Sequence, residues 1–216
     1  MLLGLYGAGA TGRMLYDQLE VDPNIAEEFE KVVFIDDTPG LTKSYGLEVY
    51  SFEDALKLYS PDDLKFLVTL GNPKARETVW KKMKSTGYRG TTWVHPEAFV
   101  SPSAEIEEGV IIDNCVIDSN VVVKPNVYVY RNALVGHDSI IGEHSIICAA
   151  SFIGGHTTLE KNIFFGGCAA CRDGITIGHD SVIGINSAVY KDVPECSSVI
   201  GNPARNMKRS EKEIFN

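Results

Sequence analysis

The sequence predicts a small α/β domain of the Rossmann type followed by a parallel β-helix built from hexapeptide repeats. Two features predict it: an apolar residue recurs every six positions from 111 to 189, and a glycine-rich turn follows the first apolar run of the chain.

The repeat comes first because it decides the architecture. Stepping by six from Ile111 gives Ile117, Val123, Val129, Val135, Ile141, Ile147, Ile153, Leu159, Phe165, Cys171, Ile177, Ile183 and Val189. All but Cys171 are Ile, Val, Leu or Phe, types that make up roughly a quarter of an ordinary chain, so chance does not produce the series. Four residues after each member lies a second series, from 115 to 193, whose members are all small or β-branched. Val100 and Ile106 keep the spacing in a frame shifted by one, which predicts an irregular turn in the first coil. The pattern describes a short strand that turns a corner every six residues, with three strands per coil and coils stacked roughly 4.8 Å apart. The bulky residue fills the axis and the small one sits at the corner. β-Branched residues suit the strands, and Gly, Asn and Asp suit the turns, as in G-E-H-S from Gly142 and G-I-N-S from Gly184. A β-sandwich would not hold this phase without an insertion.

The first ninety residues follow different rules. Residues 2–6 read as a strand, then Gly7-Ala8-Gly9-Ala10-Thr11-Gly12, then an amphipathic helix over 13–20. In a G-x-G-x-x-G turn the glycines allow a tight bend and bring helix-start N–H groups to a phosphate. A second strand over 31–35 ends in Asp36-Asp37, an acidic pair suited to a ribose or base. A third, over 66–70, ends in Gly71-Asn72 before a helix over 73–86, and Ser51 caps a short helix between them. The expected ligand site lies at the carboxyl ends of these strands, with Gly7, Gly9, Ala10, Thr11, Asp36, Asp37, Gly71 and Asn72 around it. The space before the repeat holds only half of a doubly wound fold, which favours a nucleotide-bearing substrate over a dinucleotide cofactor and makes a dehydrogenase the weaker rival. The predicted domains are 1–92, binding a nucleotide sugar, and 93–216, the β-helix with its tail.

Composition narrows the function classes. Hydrophobic residues at 44% and charged residues at 23% indicate a packed core. A net charge of -9 argues against nucleic-acid or anionic-membrane partners. The opening MLLGLYGAGA has no Lys or Arg and is broken by glycines, and no apolar run reaches the length of a membrane span, so a soluble, cytoplasmic protein is expected. Five cysteines make no even disulfide framework, and the C-x-x-C of Cys168 and Cys171 has no second ligand pair; both fit the repeat, so no metal is expected.

Taken together, G-A-x-x-x-G at Gly7, F-I-D-D at Phe34, L-G-N at Leu70, H-P-x-A-x-V-S-P-S-A at His95, V-G-H-D-S-I-I-G-E at Val135 and G-N-P-A-R at Gly201 resemble the hexapeptide-repeat sugar acyltransferases. The resemblance is to the group of sialic acid O-acetyltransferase-like and UDP-4-amino-sugar N-acetyltransferase (bacillosamine pathway) enzymes, over essentially the whole chain. It implies a left-handed coil, although the general rule for parallel crossovers favours the right hand. It further implies a homotrimer, acetyl-CoA as co-substrate along the coils, and a nucleotide-linked amino sugar (UDP, dTDP or GDP) on the N-terminal domain. By the same resemblance His137 is the general base and Asp138 orients it, Gly155 offers a backbone N–H to the oxyanion, and Tyr130 contacts the sugar. Ile146, Gly155, Gly167, Ile185, Pro203 and Arg205 would line the coenzyme, with Lys208 and Arg209 adding positive charge for its phosphates. Thr11, Tyr130 and Ile146 stand where relatives commonly carry His, Asn and His. His137 falls at a turn position and should project from a corner; His144 and His156 fall at turn positions too and are candidate cleft residues. His179 is expected on the surface, and His95 in a structural hydrogen bond. The implied reaction is N-acetylation of the 4-amino group of a nucleotide-activated deoxysugar, with O-acetylation of sialic acid and a non-catalytic sugar-nucleotide-binding scaffold as alternatives.

Overall fold

The computed structural model describes residues 1–207 and divides into two compact units, 1–71 with 75–92, and 72–74 with the chain from Trp93 onward. In the first unit the elements are β1 (Leu2–Tyr6), α1 (Ala10–Glu20), α2 (Pro23–Glu28), β2 (Lys31–Ile35), β3 (Lys43–Ser44), β4 (Leu47–Tyr50), α3 (Phe52–Leu58), β5 (Leu64–Val68), α4 (Pro73–Ser85) and β6 (Arg89–Gly90). The sheet order is β3-β4-β2-β1-β5-β6, and β1 pairs in parallel with both β2 and β5. Its central strands are apolar runs because both faces are covered: Leu3, Leu5, Phe34, Ile35, Phe66 and Leu67 are fully buried.

Three boundaries differ from expectation. The helix after the glycine turn starts at Ala10, not 13, because Gly12 has no side chain to hold it away: a Cβ there would lie 2.0 Å from the Gly7 carbonyl oxygen. The third central strand is 64–68, not 66–70, since its register is set by Leu2 pairing with Leu64. The helix expected over 73–86 ends at Ser85. Helix α3 is capped as expected, with Ser51 Oγ accepting the Asp54 N–H at 3.1 Å. Helix α2 and strands β3, β4 and β6 lie outside the sequence reading, although Asp22 followed by Pro23 is a helix-start signal for α2.

The second unit is a stack of two-residue strands forming parallel sheets of eight, six and five strands, the eight-stranded one closed by an antiparallel terminal strand. Partners lie one coil apart, as in Val129↔Ile147↔Phe165↔Ile183 and Ile117↔Val135↔Ile153↔Cys171. The axial residues are 0–7% exposed and form one continuous core. At the corners, every sixth residue from Asn120 through Asn186 lies in the left-handed region, the non-glycine ones with φ of 54–64° and Gly174 with 69°. Asn and Asp tolerate that conformation best, which is why they dominate there.

The rhythm slips twice. Ile112, not Ile111, faces the axis and pairs with Val129, because the turn to Ile117 is one residue short. Val193, expected at a corner, instead bridges to Ile177 in the core after a two-residue deletion. The corner series also does more than fit a tight space. Ser139 Oγ accepts the Thr157 N–H at 3.1 Å and donates to the Gly154 carbonyl at 3.1 Å, tying adjacent coils, and Ser145 and Ser181 do the same.

Candidate functional site

A coil repeat of 18 residues stacks equivalent turn positions, and at one corner it brings chemistry together. Asn120, Asp138 and His156 occupy the left-handed position of successive turns, and His137 and Gly155 precede two of them. His137 Nδ1 lies 2.8 Å from Asp138 Oδ2, and Asn120 Nδ2 donates to Asp138 Oδ1 at 3.0 Å. The His156 N–H donates to the His137 carbonyl at 2.8 Å, fixing the backbone beneath. The two imidazoles meet edge to face at 5.0 Å, with His156 Nε2 3.8 Å from Asp138 Oδ2. His137 projects from the corner, its side chain 53% exposed.

The electrostatics follow from these contacts. The hydrogen bond to Asp138 raises the His137 pKa above the ordinary histidine value, with Asp173 and Asp118 adding to it. The same bond, with help from Asn120, holds the Asp138 carboxyl below the usual range. With Nδ1 turned to Asp138, Nε2 is the nitrogen placed to take a proton. His137, Asp138 and His156 also offer ligand atoms within 4.8 Å of one another, a spacing that a divalent ion can bridge.

Gly155 has a different part from the one expected. Its N–H is already donated to Asp173 Oδ1 at 3.0 Å, so in this arrangement it does not face an oxyanion. A Cβ at Gly155 would lie 2.7 Å from His137 Nε2 and 2.8 Å from Cε1. The absence of a side chain at Gly155 leaves the space that the imidazole occupies.

Other expected site residues fall into three groups. His144 is not a cleft residue: it is 2% exposed, with Nδ1 2.9 Å from Asn126 Nδ2. Ile146 is buried (1%) between Tyr128 and Phe164 on its ladder, so within this chain it offers no surface to a coenzyme. Tyr130 stacks on Tyr128 at 3.9 Å. Gly167 is half-buried and Ile185 exposed, both at outer turns. Pro203 and Arg205 line a cavity of 390 Å³ with Tyr190, Lys191 and Asp192. Lys208 and Arg209 lie outside the described residues. Of the remaining histidines, His95 Nδ1 accepts the Glu97 N–H at 3.1 Å, the structural bond expected of it, and His179 is half-buried rather than open. Within the C-x-x-C, burial pushes the Cys171 thiol up to about 11, while Cys168 is exposed.

In the first unit the glycine turn is as expected, but the acidic pair is spoken for. Gly7 has φ 121°, and no side chain caps the start of α1, where Gly9 and Ala10 are exposed and Thr11 half-buried. Such an N-terminus suits an anion. Asp36 accepts the N–H groups of Ala8 and Thr38, each at 2.9 Å; burial works against its ionised form, and these bonds outweigh it. Asp37 likewise is held low despite burial, by Lys82, the Tyr6 hydroxyl and the Phe52 N–H. The expected ribose or base acceptors therefore first serve to shape the turn. Gly71 approaches Thr11, a Cβ there lying 3.8 Å from Thr11 Oγ1, whereas Asn72 groups with the second unit.

Residues 3–83 match the PglD N-terminal domain family and residues 85–173 the GMPPB C-terminal domain family. Among solved structures, WeeI from Acinetobacter baumannii superposes with a TM-score of 0.87 at 23% identity, over 96% of this chain and 100% of that one. The acetyltransferase domain of PglB from Neisseria gonorrhoeae, solved with acetyl coenzyme A, gives 0.67 at 23% identity over 95% and 98%. PerB from Caulobacter crescentus, solved with CoA and GDP-perosamine, gives 0.63 at 22% identity over 96% and 97%. Curated relatives match in short stretches: a serine acetyltransferase of Bacillus licheniformis is 39% identical over 59 residues, 27% of each chain, and a chloramphenicol acetyltransferase of Klebsiella aerogenes 42% identical over 62 residues, 28% of this chain and 30% of its own length. The chain thus shares the two-part fold of these solved structures, an α/β unit followed by a left-handed β-helix.

Proposed function

We propose that the protein transfers the acetyl group of acetyl-CoA to the 4-amino group of a nucleotide-activated amino-deoxysugar. The observation that carries the reading is the exposed His137–Asp138 pair at 2.8 Å on a rigid corner. As the sugar nitrogen attacks the thioester carbonyl, His137 Nε2 takes its proton. Asp138 holds the ring in the correct tautomer and stabilises the imidazolium. When the tetrahedral adduct collapses, the C–S bond breaks, the imidazolium returns the proton to the departing thiolate, and the amide remains. No covalent acyl-enzyme is needed.

The uncapped start of α1 beside Gly9, Ala10 and Thr11 fits a phosphate of the nucleotide sugar. Arg205 and Pro203, in the cavity after the last coil, fit a coenzyme. One sheet of the β-helix presents Phe99, Val116, Leu134, Phe152 and Ala170 outward in register, with Phe99 56% and Phe152 46% exposed. An apolar ladder of that kind favours self-association, and a homotrimer with coenzyme in the grooves between copies is the form this reading requires. Among the described residues no helix is long and apolar enough to cross a membrane.

The test is thiol release from acetyl-CoA with UDP-, dTDP- and GDP-linked 4-amino sugars against free sialic acid. Turnover of a nucleotide-linked amine is the expected result. Use of free sialic acid alone would establish O-acetylation instead, and no turnover with any acceptor would favour a sugar-nucleotide-binding scaffold. Reduction or oxidation of NAD(H) would point to the dehydrogenase alternative.

A further inference from the structure

A second corner of the β-helix carries another cluster. His179 and Asp180 share one turn, and Cys196 sits in the left-handed position of the turn stacked upon it, its N–H donated to the His179 carbonyl at 2.8 Å. One ring nitrogen of His179, a carboxylate oxygen of Asp180 and the Cys196 sulfur all lie within 4.8 Å of one another. The acyl-transfer chemistry uses none of them.

We propose that this corner binds a zinc ion through His179 Nδ1, Asp180 and the Cys196 thiolate. Imidazole nitrogen, carboxylate oxygen and thiolate sulfur form a mixed donor set that suits Zn²⁺ among the common divalent ions, whereas Mg²⁺ and Ca²⁺ require oxygen throughout. The surroundings hold the ligands in place, and Lys74 Nζ, 3.9 Å from Asp180 Oδ1 and exposed, occupies the side from which the ion would displace it. His179 Nδ1 lies 2.9 Å from Asp180 Oδ2, so the two ligands already converge. His179 Nε2 lies 2.8 Å from Glu195 Oε2, a carboxylate–histidine contact that keeps a proton on Nε2, so that on binding Nδ1 exchanges its hydrogen bond with Asp180 for the ion. Asp180 is oriented in turn by Asn162 Nδ2, which donates to its Oδ1 at 3.1 Å, and the His179 N–H is held by Glu160 Oε2 at 2.8 Å. Every ligand therefore stands on a hydrogen-bonded turn of a stacked coil, and assembling the site costs little ordering. Three protein ligands leave the remaining position to water. On binding, the sulfur–zinc bond forms as the Cys196 thiol gives up its proton to solvent, and no redox change occurs.

The position of Cys196 hides this arrangement from sequence inspection. It follows Asp180 by 16 residues where a regular coil would need 18, because the repeat shortens by two before Val193. That deletion brings a cysteine onto the corner.

The experiment uses the full chain, stripped with a chelator and titrated with Co²⁺ as a spectroscopic stand-in and then Zn²⁺. One equivalent of Co²⁺ should give a thiolate-to-cobalt charge-transfer band, displaced by Zn²⁺. Cys196→Ser should abolish the band, and His179→Ala should weaken Zn²⁺ binding at least tenfold. Glu195→Gln should weaken it about tenfold, the range for an outer-shell partner. His137→Ala keeps the band, which separates this site from the His137 corner. No sulfur band in the wild type, or a band that survives Cys196→Ser, overturns the proposal. Retained thermal unfolding midpoints of the metal-free variants show that the losses are not from misfolding.

Discussion

Replacing Gly155 by alanine probes the relation between backbone and base at its narrowest point. The added methyl would sit 2.7 Å from His137 Nε2, 2.8 Å from Cε1 and 3.1 Å from Cδ2, against the roughly 3.5–4.0 Å of ordinary carbon contact. Neighbouring coils hold the backbone on both sides, so the imidazole must retreat by nearly an ångström. That retreat is expected to loosen the imidazole's 2.8 Å bond to Asp138. A displacement of that size costs about a hundredfold in rate, or about 2.7 kcal/mol of transition-state stabilisation. The fold should be untouched, because Gly155 does not have a left-handed φ and alanine there is compatible with the backbone. Steady-state kinetics and a thermal melt on the same preparation make the assay: kcat/KM falls about a hundredfold while the melting midpoint holds. Activity within threefold of wild type would refute the claim that Gly155 seats the base.

Further outcomes follow from the same geometry. His137→Ala should lower kcat by about 10²- to 10⁴-fold, the usual range for a general base, with acceptor binding by calorimetry unchanged. Because Asp138 raises the His137 pKa and the base acts unprotonated, kcat/KM should climb with pH through that raised value. Asp138→Asn removes the raising bond, so the acid limb should move to lower pH while the plateau drops; an unmoved limb would contradict the pairing. In the core, Ile147→Ala empties a fully buried axial position and should cost about 2–5 kcal/mol in urea denaturation. Gly12→Ala places a methyl 2.0 Å from the Gly7 carbonyl oxygen, and should either unfold the first unit or push α1 off β1, seen as loss of nucleotide-sugar binding.

The sequence by itself determined the β-helix and the glycine turn before α1. Each depends on short-range or strictly periodic information: a sixfold step that keeps one side chain on the axis, and a missing Cβ. The pairing of His137 with Asp138 was implied only by the family resemblance, and the contact itself is a fact of the structure. What lay beyond the sequence arose where residues meet only after coiling. His156 and Asn120 join Asp138 because one full coil is 18 residues, so the left-handed positions stack. His144 holds the same kind of turn position as His156, yet it is buried, with its Nδ1 2.9 Å from Asn126, because the side chains stacked on its corner differ. The same effect put Gly155 under an imidazole and gave its N–H to Asp173. It turned Asp36 and Asp37 back onto Ala8, Thr38, Phe52, Tyr6 and Lys82, whose proximity no spacing along the chain announces. The slip of register at Ile112 follows from the shifted frame of Val100 and Ile106, although with two adjacent isoleucines only the closed coil selects which one fills the axis; the slip at Val193 emerges only where that residue bridges to Ile177. Period decides which face a side chain takes, whereas the partner it finds there depends on how the stacked turns align.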